Sequence, residues 1–108
     1  MAAAVREITP QEAKNVLARE QDRFGVLDVR KAEEWAKGHI PGARHIPLEE
    51  LPLRVAELDP QREWIVVCRS GNRSAKACAF LAERGFRVRN LQGGMLAWNE
   101  TEGEGGAK

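Results

Sequence analysis

The stretch that decides the fold is Trp64-Ile65-Val66-Val67-Cys68-Arg69-Ser70-Gly71-Asn72-Arg73-Ser74. Its apolar run predicts a buried strand over residues 65–68, because β-branched side chains favour strands. The polar residues that follow are typical of a loop, and apolar residues then recur at helical spacing over residues 74–84. A strand, a short loop and a helix in this order indicate a parallel sheet covered by helices.

Cys68 stands at the carboxyl end of the predicted strand, which is where parallel sheets bind their ligands. A loop of this kind turns backbone N–H groups toward the sulfur, and the helix behind it adds the positive end of its dipole. Both effects favour the thiolate, which is the nucleophilic form of cysteine. We therefore expect Cys68 to be the catalytic nucleophile; the alternative is a small buried hydrophobe that closes a strand.

The loop after Cys68 is predicted to hold an anionic substrate or a charged sulfur. Gly71 allows the backbone to approach a ligand closely, and the two arginines supply charge. The expected binding residues are Arg69, Ser70, Gly71, Asn72 and Arg73. The alternative for Arg69 and Arg73 is that they are solvated surface arginines.

The rest of the chain alternates predicted strands and helices. Thr9-Pro10-Gln11-Glu12 is a capping box with proline at the first helical position, which predicts a helix that begins there. The remaining strands are expected over residues 5–8, 26–29, 45–46 and 88–91, and the remaining helices over residues 10–20, 32–37 and 48–58 and just after Gly94. We predict one α/β domain over residues 1–100. Residues 101–108 contain three glycines and no apolar side chain larger than alanine, and we expect a disordered tail there.

Composition excludes several classes of function. A chain of 108 residues is sized for one domain, and its net charge of +1 creates no field for nucleic acid or an acidic membrane. The sequence shows neither a secretory signal nor a membrane span, which predicts a cytoplasmic protein. Its two cysteines fit neither a disulfide framework nor a zinc site, so we expect free thiols, no metal and no cofactor.

Five segments carry a likeness to a known family: Leu27-Asp28-Val29-Arg30, Glu33-Glu34-Trp35, Gly38-His39-Ile40-Pro41-Gly42-Ala43, the loop over residues 68–73, and Leu91-Gln92-Gly93-Gly94 with Trp98. In these segments the chain resembles the single-domain rhodaneses, which are thiosulfate sulfurtransferases. The resemblance implies a rhodanese-like parallel sheet flanked by helices on both faces. It also implies a ping-pong reaction: Cys68 takes a sulfane sulfur from an anionic donor such as thiosulfate and holds it as a persulfide. A thiol or cyanide acceptor then removes the sulfur.

Other polar residues are interpreted as structural. Asp28, Arg30 and Ser74 are expected to support the loop without touching the substrate, and Arg30 has the alternative of pairing with Glu34 one helical turn away. His39 is expected to bond nearby backbone in a turn rather than to act as a base.

The larger side chains and the second cysteine are also interpreted as packing. We expect Trp35, Trp64 and Trp98 to pack in the core or at its rim. Cys78 lies on the apolar stripe of its helix and is expected to be inert.

Two rival functions are open at this point. Cysteine phosphatases and arsenate reductases also place a thiolate in such a loop, but their signature needs five residues between cysteine and arginine. Only four separate Cys68 from Arg73, and Ser74 stands where that arginine would be. The other rival is a non-catalytic sulfur carrier or interaction module, for which loss of the cysteine would be the sign.

Overall fold

The structure is a computed structural model that describes residues 5–106, with side chains described as far as Thr101. Five parallel strands form one sheet in the order β1-β5-β4-β2-β3. The strands are β1 (Glu7–Ile8), β2 (Phe24–Asp28), β3 (Arg44–His45), β4 (Glu63–Val67) and β5 (Arg87–Leu91). The helices are α1 (Pro10–Arg19), α2 (Ala32–Ala36), α3 (Leu51–Arg54), α4 (Asn72–Glu83) and α5 (Gly94–Gly106). The predicted parallel α/β architecture is confirmed.

Both faces of the sheet are buried. Successive side chains of the central strand β4 point to opposite faces, and every residue of β4 is buried. Trp64 and Val66 pack with Cys68 in one apolar cluster, which α4 and the segment around α3 cover. Ile65 and Val67 belong to the second cluster, which α1 and α5 cover. Cys68 therefore lies directly after the central strand of the sheet.

The first helix begins where its sequence predicts. The Thr9 hydroxyl accepts a hydrogen bond from the Glu12 N–H at 3.1 Å, and the Glu12 carboxylate accepts one from the Thr9 N–H at 2.9 Å. This reciprocal capping box is confirmed. Most other elements begin or end one or two residues from their expected limits, and α4 starts at Asn72 rather than at Ser74.

Two predicted segments differ from the structure. The single helix expected over residues 48–58 is divided into a 3-10 turn, the short helix α3 and a second 3-10 turn. Pro52 lies in the first turn of α3, where its missing N–H is tolerated; it cannot sit inside a longer helix.

The second difference lies at the C-terminus, where a disordered tail was expected over residues 101–108 and α5 instead continues to Gly106. Each added helical residue gains a hydrogen bond, and the Thr101 hydroxyl donates to the Ala97 carbonyl at 3.1 Å. The final two residues of the expected tail lie outside the described residues. Within residues 5–106, no helix combines the length and apolar character that a membrane crossing requires.

Candidate active site

Cys68 lies directly after β4 with its side chain buried, at 1% exposure. The Gly71 N–H donates a hydrogen bond to the Cys68 sulfur at 3.1 Å, and the Ser74 hydroxyl lies 3.2 Å from the same atom. The backbone N–H groups of Ser70 and Ser74 also interact with the sulfur. The donors thus come from Ser70, Gly71 and Ser74, whereas the sequence predicted the N–H groups of residues 69–73.

These donors decide the ionisation of the thiol. Burial alone raises the pKa of Cys68, because a charge is poorly solvated inside the protein. The hydrogen bonds from Ser74, Gly71 and Ser70 together outweigh burial and leave the pKa of Cys68 below its ordinary value. These donors therefore favour the thiolate of Cys68 against the effect of burial.

The start of α5 fixes the orientation of the first two peptide groups of the loop. The Met95 N–H donates to the Cys68 carbonyl at 2.9 Å, and the Leu96 N–H donates to the Arg69 carbonyl at 3.1 Å. In a trans peptide the N–H points opposite to the C=O, so this clamp turns the N–H groups of residues 69 and 70 the other way. The first turn of α5 thereby has its unpaired N–H groups satisfied.

Two glycines make this arrangement possible. Gly71 adopts φ +109°, a conformation that side chains disfavour, and it forms the N-cap of α4. Gly94 adopts φ +59°, and a Cβ at this position would lie 2.5 Å from both the Cys68 and the Arg69 carbonyl oxygens. Gly94 therefore allows α5 to approach the catalytic loop. In the sequence, it was one residue of the segment Leu91-Gln92-Gly93-Gly94 that carries the family resemblance.

The two loop arginines differ in their surroundings. Arg69 is exposed, and within the described part of the chain its guanidinium has no ion-pair partner. Arg73 lies in the first turn of α4 and makes a bidentate ion pair with Glu34, at 2.7 and 2.8 Å. This hydrogen bonding lowers the pKa of Glu34 to about 2 and raises the pKa of Arg73. Asn72, the remaining loop residue of the prediction, is exposed at the start of α4.

Asp28 and Arg30 lie at the carboxyl end of β2, which neighbours β4. Asp28 is paired in register with Val67, and its carboxylate bonds both the side chain and the backbone N–H of Arg30. Arg30 also donates to the carbonyl groups of Gly38 and Glu34. The suggested pairing of Arg30 with the Glu34 carboxylate is wrong, because that carboxylate binds Arg73 instead.

The residues interpreted as structural occupy structural positions. The His39 Nδ1 atom lies 3.1 Å from the Trp35 carbonyl, and its ring stacks on the Trp35 indole. Trp64 and Trp98 are buried in the two apolar clusters. Cys78 is fully buried on α4, where desolvation raises its pKa to about 12. Both cysteines are free thiols, and no cluster of metal-ligating side chains occurs in residues 5–106.

Ser74 was predicted only as a supporting residue, and its partner Asn90 on β5 was missed. Asn90 is 3% exposed, and its Oδ1 atom lies 2.5 Å from the Ser74 hydroxyl oxygen. A signal exists in the sequence, because alternation places Asn90 on the same face of β5 as Val88, which packs with Cys68. Because buried polar side chains are almost always hydrogen-bonded, this position predicts a hydrogen-bond partner for Asn90 near Cys68.

Comparison with known proteins finds the same domain. The rhodanese-like domain model matches residues 9–101. The sulfurtransferase of Allochromatium vinosum is 40% identical over 95 residues, which cover 87% of this chain and 88% of that protein. The thiosulfate sulfurtransferase GlpE of Pseudomonas putida is 37% identical over 99 residues, with 89% and 86% covered. The crystal structure of a rhodanese-like domain protein from Staphylococcus aureus superposes with a TM-score of 0.81 at 37% identity, covering 87% of this chain and 91% of that one.

Proposed function

The chain belongs to the rhodanese-like domain family, and we propose that it is a sulfurtransferase that works through a persulfide on Cys68. The observation that carries this proposal is a buried sulfur surrounded by hydrogen-bond donors, with no general base beside it among the described residues. Donors that lower the pKa of the thiol favour the nucleophilic thiolate without such a base. The family relationship and the sulfurtransferase names of two relatives support this chemistry.

In the first half of the reaction, the Cys68 thiolate attacks the sulfane sulfur of an anionic donor, for which thiosulfate is the model. A bond forms between the Cys68 sulfur and the transferred sulfur. The S–S bond of thiosulfate breaks, and sulfite leaves with the bonding electron pair. The product is a persulfide whose outer sulfur carries the negative charge.

The loop is suited to hold this charge. Backbone N–H groups fixed before the reaction stabilise an anion without having to reorganise. The exposed Arg69 guanidinium is available to attract the donor and the departing sulfite. Arg73 uses two N–H groups for Glu34 and retains others, because a guanidinium has five.

In the second half, a thiophilic acceptor attacks the outer sulfur and returns Cys68 as a thiolate. Cyanide would leave as thiocyanate, and a thiol would leave as a persulfide. Because Cys78 is buried with a raised pKa, it does not serve as an internal acceptor. The acceptor therefore comes from outside the domain.

Intact-mass spectrometry after exposure to thiosulfate tests the proposal. We expect one added sulfur on the wild type and on Cys78→Ala, none on Cys68→Ser, and loss of the added sulfur on treatment with cyanide. A Cys68→Ser protein that still gained sulfur would refute the role of Cys68. A folded wild type that gained none from thiosulfate or an organic persulfide would favour the non-catalytic interaction module.

A further inference from the structure

The buried contact between Ser74 and Asn90 places one hydroxyl proton between two acceptors. The Ser74 oxygen lies 3.2 Å from the Cys68 sulfur and 2.5 Å from the Asn90 Oδ1 atom. A serine hydroxyl has a single proton and donates one strong hydrogen bond at a time. Cys68 and Asn90 therefore compete for it.

The orientation of the Asn90 amide is set by its other neighbours. Its Nδ2 group donates to the Gly71 carbonyl at 3.1 Å and lies 3.4 Å from the Glu7 carboxylate. Rotating the amide would place its oxygen against these two acceptors, which is unfavourable. The oxygen consequently faces Ser74, and within the described residues no other donor reaches it.

Building on the proposed function, we propose that Asn90 is a positioning residue that competes with Cys68 for the Ser74 hydroxyl proton, which the sulfur holds in the free enzyme and Asn90 holds in the loaded enzyme. A thiolate is a strong acceptor and attracts the hydroxyl. In the persulfide the charge has moved to the outer sulfur, and the inner sulfur is only a weak acceptor. The hydroxyl then turns to Asn90.

This exchange biases the sulfur-transfer equilibrium. Asn90 and Ser74 are 3% and 0% exposed, so an unpaired polar atom on either one is unfavourable. In the free thiolate, Asn90 Oδ1 gives up its donor, whereas in the loaded enzyme both groups are satisfied. Asn90 thus opposes the thiolate and favours the persulfide.

The pH dependence of Cys68 alkylation tests the competition in the free enzyme. Asn90→Leu removes the competing acceptor, so the midpoint of the alkylation profile should fall by about 0.5 to 1 pH unit, the size expected for one neutral hydrogen bond. Ser74→Ala should raise the midpoint. In the Ser74→Ala background, Asn90→Leu should have no effect, because no proton remains to be contested.

A purely structural role predicts the opposite sign. Asn90 also ties the Gly71 carbonyl to β5, and a loosened loop would lose donors and raise the midpoint. A midpoint that is unchanged or raised in folded Asn90→Leu overturns the proposal, as does an equal fall in the Ser74→Ala background. Asn90→Val, which suits a strand, carries the same expectation should leucine prevent folding.

The other titratable groups near the site stay in place in these variants. They are Arg73 and Cys78 of α4, Glu7 of β1, Asp28 of β2 and Glu34 of α2. The double-variant comparison cancels their contributions, because they are common to all four proteins.

The loaded state is tested at a fixed ratio of sulfite to thiosulfate. The persulfide fraction of Asn90→Leu, measured by intact mass, should correspond to an equilibrium constant about 3- to 10-fold below that of the wild type. An unchanged or higher constant overturns the proposal. A wild type that takes up no sulfur refutes the proposed function and the loaded-state half with it, while alkylation still decides the competition in the free enzyme.

Discussion

Cys68 and Cys78 lie in the same apolar cluster, and their pKa values shift in opposite directions. Their exposed fractions are 1% and 0%, so burial does not distinguish them. Burial is the largest influence on both pKa values and raises each of them. Yet the pKa of Cys68 is lowered, whereas the pKa of Cys78 is raised to about 12.

The difference lies in the hydrogen-bond donors that reach each sulfur: the Ser74 hydroxyl and backbone N–H groups lower the pKa of Cys68, and no such donor acts on Cys78 among the described residues. Inside α4 the N–H groups bond to carbonyls one turn earlier, so Cys78 finds no donors. Cys68 stands where a strand has ended and a helix has just begun, and there N–H groups are unpaired. The donors around a buried thiol thus set the direction of its pKa shift, and the variants below test this difference between Cys68 and Cys78 and its consequences for sulfur transfer.

The largest expected effect comes from Gly94→Ala, which should make Cys68 resemble Cys78. The added methyl would meet the carbonyl oxygens of Cys68 and Arg69 at 2.5 Å, so α5 must move and the loop must lose its fixed orientation. A misplacement of catalytic groups by about 1 Å costs about 10²-fold in turnover. We expect that loss in kcat/KM for thiosulfate, together with a raised pKa of Cys68 in alkylation kinetics.

Gly85→Ala is the matched control. Gly85 also has a positive φ, of +87°, but a Cβ there meets nothing within 4 Å. Both variants incur backbone strain of about 1–2 kcal/mol, and only Gly94→Ala reaches the loop. Equal turnover in the two variants would show that the approach of α5 to the loop does not matter for catalysis.

The next effect concerns the charge that the Cys68 site offers to a donor. Arg73→Ala should lower kcat/KM for thiosulfate by about tenfold, because the donor loses its charge-assisted hydrogen bonds to the guanidinium. Arg73→Lys should lower it by less, because lysine keeps the positive charge but not the bidentate geometry. Glu34→Gln should have the opposite sign, since it releases Arg73 from its ion pair. A partly exposed pair of this kind is worth up to about 1 kcal/mol, which limits the gain to a few-fold.

Single-turnover kinetics separate sulfur loading from discharge in these variants. We expect the changes in the loading step with thiosulfate and unchanged discharge to cyanide. Equal loading rates in wild type, Arg73→Ala and Glu34→Gln would remove Arg73 from the donor site. Arg69 and the backbone N–H groups would then be the only anion-binding groups left in the proposal.

The sequence predicts the features of this site that are local along the chain. Strand, loop and helix over residues 64–84 follow from the apolar β-branched run, the polar segment after it and the helical spacing, and they place Cys68 at a strand end. The buried position of Cys78 follows from the same helical spacing. Parallel connections through helices then predict a sheet covered on both faces.

Contacts between distant segments were not predictable in the same way. Glu34 is 39 residues from Arg73, and Asn90 is 16 residues from Ser74. The second contact depends on β5 lying beside β4 with Val66 in register with Asn90, and strand order is not encoded in local periodicity. The clamp by α5 depends likewise on the path of the chain after β5.

The smallest effect on activity is expected at Cys78. Cys78→Ala removes a buried thiol that touches no donor, so sulfur loading, turnover and the alkylation profile of Cys68 should equal those of the wild type. Stability should fall by about 1 kcal/mol, measured by denaturant unfolding, because a small apolar volume is lost from the core. Cys78→Ser should cost more than Cys78→Ala, since it buries a hydroxyl among apolar side chains. Loss of turnover in a folded Cys78→Ala protein would contradict the assignment and identify Cys78 as a cysteine that resolves the Cys68 persulfide.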